Sequence, residues 1–419
     1  MTHSESTLSS PSPTIAFLHE ELICGGAEKV SVSTARHLKA QGIHSVFFIT
    51  KQSDLAPHHL EDLDVCHLPN EAQRGEYFTA DNINKLATTI QTRNIRVLLI
   101  IGSNMTILRV PQKLRQLTPG CKYVYWLHNK PFWEFDDKQG NARVAALHSL
   151  KKKLIYEWIK RPKYVLLKSL YIRKLQRQYK ECLRTLDGII TLHPVYQQQF
   201  SSDLQLSETE SKRIFSFINT LDVCQQPHLE KKKRIGYVGR LALSSKQVDL
   251  FLRMWKRIAD KLPGWELCIY GTGPAEEMLK KLIREQQITQ VQLMGYTANT
   301  QEAYNDMAIL CLPSKYEGWG LVLTEAQNNG VIPVAFDCCR AIPTIIGEAE
   351  EAAGVLVAPN DWKDLSQQIV RLGKDDAYRS RLQQRCLEKR WTYQEGVNEK
   401  EWKRFLAWIA EEEGTTKTS

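Results

Sequence analysis

Short apolar runs alternate with helix-length amphipathic stretches along this chain, and the pattern occurs in two blocks. The first block opens with TIAFLHE (14–20), a glycine turn CGGAEK (24–29), the helix-period stretch VSVSTARHLKAQG and then HSVFFIT (44–50). It continues with RVLLIIGS (96–103), KYVYWLH (122–128) and GIITLH (188–193). The second block runs through RIGYVGRL (234–241), ELCIYGTG (266–273), VQLMG (291–295), AILCLPS and VIPVAF (331–336), with a helical segment after each run. Strands separated by helices pair in parallel, because a parallel neighbour needs a crossover of a dozen or more residues. Two such blocks in 419 residues predict an α/β protein of two facing Rossmann-like domains with a ligand cleft between them. The expected divisions are a tail at 1–13, a first domain at 14–225 with a helical insert at 143–186, a second domain at 226–395, and a C-terminal helix and tail at 396–419.

Charge narrows the partners. Lysine and arginine number 56 against 47 aspartates and glutamates, a net +9 that points to an anionic partner. The surplus is local. Residues 151–184 hold 12 basic residues and only Glu157 and Glu181, so this segment carries a net +10 and the rest of the chain −1. Pro162 is expected to split the stretch into two helices. Trp158, Ile159, Leu166, Leu167, Leu170 and Tyr171 lie among the charges. Three readings stand for it: an anionic membrane surface, a solvated helix whose apolar face packs on its own domain, and nucleic acid. No nucleic-acid module is recognisable, and no nucleic-acid partner is expected.

The ten cysteines form no CxxC, and no histidine pair stands at zinc-finger spacing, so no structural metal is expected. The polar N-terminus lacks an apolar stretch, so a disordered tail and not a leader is expected, and no run approaches about 18 apolar residues. The expected location is the cytoplasm, with reduced thiols.

The chemistry concentrates in PSKYEGWGLVLTEAQNNGVIPVAF (313–336). Glu317 falls on a loop at the carboxyl edge of a strand, Gly318 and Gly320 permit close backbone approach, and a helix starting near Leu321 aims its N–H groups at the same spot. Glu325 lies about one turn into that helix. A pair of carboxylates around an anion-binding helix terminus suits a sugar nucleotide; a loop glutamate and a solvated helix glutamate are the plainer reading. YVGRLALSSKQ places Arg240 and Lys246 after a strand, where a guanidinium fork and an ammonium suit a diphosphate. YGTGP puts Gly271 and Gly273 in a tight turn after another strand. Gly25 and Gly26 open a helix after the first strand, either as a diphosphate-facing turn or as a plain βα turn. His128 ends its strand in WLHNKP; it is either a site residue or a structural histidine. Asp136 and Asp137 are expected to be solvated.

Taken together, GRL…K, YGTGP and EGWGLVLTEAQNNGVIPVAF resemble, in order and spacing, the nucleotide-binding half of retaining GT-B glycosyltransferases of family 4, the glycosyl transferases group 1. The segment AIPTIIGEAEEAAGVLVAPNDWKDLSQQI resembles the same family, so the likeness covers most of 234–410; it is looser over HEELICGGAEKVSVSTARHLKAQGIHSVFFIT. FDCCRAIPTII departs from it, with two cysteines and an arginine in place of a glycine-rich turn, and so does INTL (218–221), where the family often reads asparagine–proline. The resemblance implies a GT-B fold whose C-terminal helix packs back toward the first domain. It also implies metal-independent transfer from a UDP- or GDP-linked sugar with retention, without any cofactor. Glu317 would meet the transferred sugar, Glu325 the ribose, Arg240 and Lys246 the diphosphate, and His128 the reacting face. The implied acceptor is a glycan or a lipid-linked hydroxyl, in polysaccharide, lipopolysaccharide or glycolipid synthesis at the inner face of the cytoplasmic membrane. A non-hydrolysing epimerase and a catalytically silent membrane-binding protein on the same scaffold are the alternatives.

Overall fold

The computed structural model describes residues 13–22, 25–52, 62–71, 79–102, 109–394 and 396–411. Seven strands make the first sheet: β1 (Thr14–Leu22), β2 (Ser45–Gln52), β3 (Asp64–His67), β4 (Ile95–Ile101), β5 (Lys122–Trp126), β6 (Gly188–Thr191) and β7 (Ile214–Ser216). Their order is β3-β2-β1-β4-β5-β6-β7, all parallel. The second sheet holds β8 (Lys232–Val238), β9 (Glu266–Tyr270), β10 (Val291–Gly295), β11 (Met307–Leu312), β12 (Ile332–Phe336) and β13 (Val355–Val357). Its order is β10-β9-β8-β11-β12-β13, also all parallel. Central strands such as β11 and β12 are apolar throughout because helices cover both faces. In each sheet the order reverses beside the first strand, and the loops at the carboxyl edge there are where ligands of such sheets bind.

The chain then returns to the first sheet. In the helix Glu399–Ala410, Trp402 lies 4.1 Å from the Phe217 ring and Phe405 4.9 Å from Phe215. Glu401 accepts from the Ser216 backbone N–H at 2.8 Å, and Asn398 from that of Ile218 at 2.9 Å. The edge strands β3 and β7 were not expected. They are four and three residues long, too short for a periodic signal, and they form because a neighbouring strand offers an open edge.

The basic insert also departs from expectation. The helix Leu150–Ile155 runs through a π-turn, Tyr156–Lys160, into the helix Arg161–Leu166, so Pro162 does not break it. Pro162 sits in the first turn after the π-turn, where a missing N–H is tolerated. The break falls instead at Leu167, before the helix Lys168–Thr185. Asp136 and Asp137 are not free surface groups either. They lie in the helix Trp133–Ala146, where Asp136 pairs with Lys130 at 2.7 Å and Asp137 accepts from the Tyr316 hydroxyl at 2.8 Å. Tyr316 belongs to the second domain, and only the folded interface brings it there.

Candidate active site

The loop between β11 and the helix Leu321–Asn328 carries Glu317. Its Oε1 accepts from the Ser314 hydroxyl at 2.6 Å and from the Lys246 ammonium at 2.5 Å, and Lys315 N donates to Ser245 O at 2.7 Å. These bonds lock the loops after β8 and β11 together, with the Glu317 side chain 11% exposed. Gly320 caps the helix at φ +90°, a conformation costly for any residue with a Cβ, and so turns the helix N-terminus into the cleft. One turn on, Glu325 accepts from the buried Tyr304 hydroxyl at 2.7 Å. Burial and the adjacent Glu325 carboxylate raise the Tyr304 phenol well above its ordinary range.

The first domain meets this face at several points. The Gly318 backbone packs on His128 and Asn129: a Cβ there would lie 2.5 Å from His128 O and 2.9 Å from Asn129 Cα. The Tyr196 hydroxyl donates to Gly318 O at 2.7 Å, and Lys130 Nζ to Cys338 O at 2.9 Å. A Cβ on Gly26 would come within 3.3 Å of the Leu321 side chain, so the glycine turn after β1 faces the start of the helix Leu321–Asn328. Gly25 and Gly26 open the helix Gly26–Ala40, as the sequence implies, and Lys29 lies 3.8 Å from Glu325.

Two residues that the sequence did not single out join this group. Glu28 sits within the electrostatic reach of Arg240; burial pushes its carboxyl up to about 7, with Arg240 working against that shift. His19, in the middle of β1, is 2% exposed and influences His128. Burial drives both imidazoles down to about 3, and each has a buried Nε2 with no partner among the described residues. They are therefore neutral at physiological pH. Glu28 had a legible signal, an acid two residues after a paired-glycine turn; a lone histidine inside an apolar strand had none.

Gly271 and Gly273 have a packing role. A Cβ on Gly271 would stand 2.0 Å from Gly239 O and one on Gly273 2.7 Å from Leu241 O, and Leu241 N donates to Thr272 O at 2.9 Å. The loops after β8 and β9 thus interlock, which fixes the backbone from which Arg240 and Lys246 extend.

Two parallel sheets that meet through their carboxyl-edge loops, with a C-terminal helix crossing back, define the GT-B fold. Residues 222–388 match the family model described as Glycosyl transferases group 1. A Haemophilus influenzae protein described as "Uncharacterized glycosyltransferase" is 25% identical over 347 residues, covering 81% of this chain and 84% of its own length. The Staphylococcus aureus poly(ribitol-phosphate) alpha-N-acetylglucosaminyltransferase is 24% identical over 223 residues, 52% of this chain and 44% of its own. Among solved structures, Anabaena HepE, in complex with UDP and glucose, superposes with a TM-score of 0.68 at 16% identity and covers 94% of this chain and all of its own, a likeness of fold.

Proposed function

We propose that this protein transfers a sugar from a UDP- or GDP-linked donor to a hydroxyl acceptor with retention at the anomeric carbon, as a family 4 enzyme. The observation that carries the reading is the convergence of Glu317, Lys246, the Gly320-capped helix terminus and the glycine turn at Gly25–Gly26 in one cleft. The C1–oxygen bond of the donor breaks with its electron pair going to the diphosphate. Arg240, Lys246 and the helix terminus stabilise the charge that grows there, so the reaction as proposed requires no metal ion or other cofactor. The acceptor oxygen bonds to C1 on the same face, and its proton passes to the departing phosphate. Glu317 holds hydroxyls of the transferred sugar, and Glu325 those of the ribose. Gly271 and Gly273 hold the backbone close to the base. His128, neutral beside a developing oxocarbenium ion, offers Nε2 to a sugar hydroxyl without adding a repelling charge.

We further propose that the protein works as a peripheral protein on the cytoplasmic face of an anionic membrane, in cell-surface polysaccharide, lipopolysaccharide or glycolipid synthesis. Leu150, Trp158 and Leu166 are 81%, 78% and 80% exposed within the lysine-rich insert, so these residues do not pack on the domain. No helix among the described residues is long and apolar enough to cross a membrane.

The donor reading is tested by titrating UDP, GDP and NAD into the full chain and assaying hydrolysis of a panel of nucleotide sugars. Binding of UDP or GDP is expected, and Glu317→Ala should lower turnover about a hundredfold or more while the melting transition stays cooperative. Stabilisation by NAD alone, or full turnover in Glu317→Ala, removes the reading.

A further inference from the structure

A cavity of about 280 Å³ opens between the two domains beside the site. Tyr196, whose hydroxyl holds Gly318 O, and Lys130, two residues past His128, line it. Phe132 and Phe135 give it an aromatic side, and Gln199 and Asp203, one turn apart on the helix Pro194–Asp203, give it a hydrogen-bonding side. Its charges are unevenly satisfied. Lys130 is taken by Asp136 at 2.7 Å and by Cys338 O. Lys168, at the start of the helix Lys168–Thr185, and Arg340, just after β12, also line the cavity, and neither pairs with a carboxylate among the described residues. Arg340 belongs to FDCCR, the segment that departs from the family pattern.

From this lining we infer that the cavity receives the acceptor, and that the acceptor is a phosphate-bearing polyol or sugar whose phosphate is bound by Lys168 and Arg340. The inference rests on the transferase reading above. A guanidinium and an ammonium lining one cavity from two domains supply the fork and the point charge that a phosphate ester accepts. Asp203 and Gln199 supply partners for hydroxyls, and the aromatic side suits the apolar face of a ring. The phosphate has two sources, a lipid phosphate or a phosphorylated polyol free of lipid. Lys168 and Ile172, lining the cavity, continue the insert whose exposed Leu166 and Leu170 precede and flank them.

The test uses the full chain and titration calorimetry with octyl phosphate below its micelle concentration and with glycerol 3-phosphate. At least one is expected to bind saturably, and Lys168→Ala/Arg340→Ala should weaken it tenfold or more, while Lys168→Arg/Arg340→Lys retains it. Tighter octyl phosphate assigns the lipid source; tighter glycerol 3-phosphate assigns the polyol. Failure of both probes to bind, or equal binding by the alanine variant, overturns the inference. UDP titrated in parallel separates the two readings: lost UDP binding in the unsubstituted protein removes the donor reading and leaves the phosphate result standing. UDP binding by the alanine variant is expected to match that of the unsubstituted protein.

Discussion

Glu28 folds its carboxyl back over Gly25, where any Cβ would lie 2.2 Å from Oε2. With its carboxyl titrating at about 7, it changes charge in the range where an enzyme of this kind works. Above that pH the carboxylate neutralises part of the Arg240 charge and repels a diphosphate. UDP affinity should therefore fall about three- to tenfold from pH 6 to pH 8, and Glu28→Gln should flatten that profile, read by calorimetry at each pH. The folded state holds an extra proton between the ordinary carboxylate range and about pH 7, so this group makes stability decline as pH rises through that window. Glu28→Gln should remove the decline in melting temperature. The loop and helix positions of Glu317, Glu325, Arg240 and Lys246 were legible because each stands at a fixed distance from a strand end or a glycine. The Tyr304 hydroxyl on Glu325 and the influence of the buried His19 imidazole on His128 were not, since they join residues 21 and more than 100 positions apart.

Two elements carry predictions of their own. At Gly318 the loop from Ser314 to Gly320 lies against the backbone of His128 and Asn129, so Gly318→Ala forces apart groups that cannot rotate away. A loss of about 1–3 kcal/mol is expected, with a fall in donor turnover, from denaturant melts and hydrolysis assays on the same variant. The insert is the second element. Its amphipathic spacing and its charge were visible in the sequence, but which face the domain would cover was not. The structure buries Tyr156, Tyr179 and Leu183 and leaves Leu154, Trp158, Ile159 and Leu166 outward. Trp158→Ser/Leu166→Ser should cut binding to vesicles containing anionic lipid at least fivefold, and neutralising Lys151, Lys152 and Lys153 should remove its salt dependence, measured by co-sedimentation. Unchanged sedimentation in both variants would end the membrane proposal.

At the scale of the molecule, the domains are held by a buried ion pair. Arg143, in the helix Trp133–Ala146, reaches Asp249 of the second domain at 2.9 Å, with side chains 14% and 4% exposed, and also donates to Leu243 O. Removing one partner strands a buried charge: Arg143→Ala should cost about 3–5 kcal/mol, whereas Arg143→Met with Asp249→Leu should cost far less. Differential calorimetry of the three proteins checks this. Because the same helix leads into the insert and, at Gly140, packs on Ser244, that contact ties the surface-facing segment to the loop bearing Lys246.

The sequence by itself determined the two parallel sheets, the glycine-bearing loops at their carboxyl edges and the segment that concentrates the charge. Those properties are periodic or local, and a strand, a glycine turn or a charge run is written in consecutive residues. Tertiary structure alone decided the short edge strands, the ionisation of Glu28, His19 and His128, the pairing of Arg143 with Asp249, and the cavity where Lys168 meets Arg340. Each of these depends on burial and on distances between segments far apart in the chain, and neither quantity has a local signature.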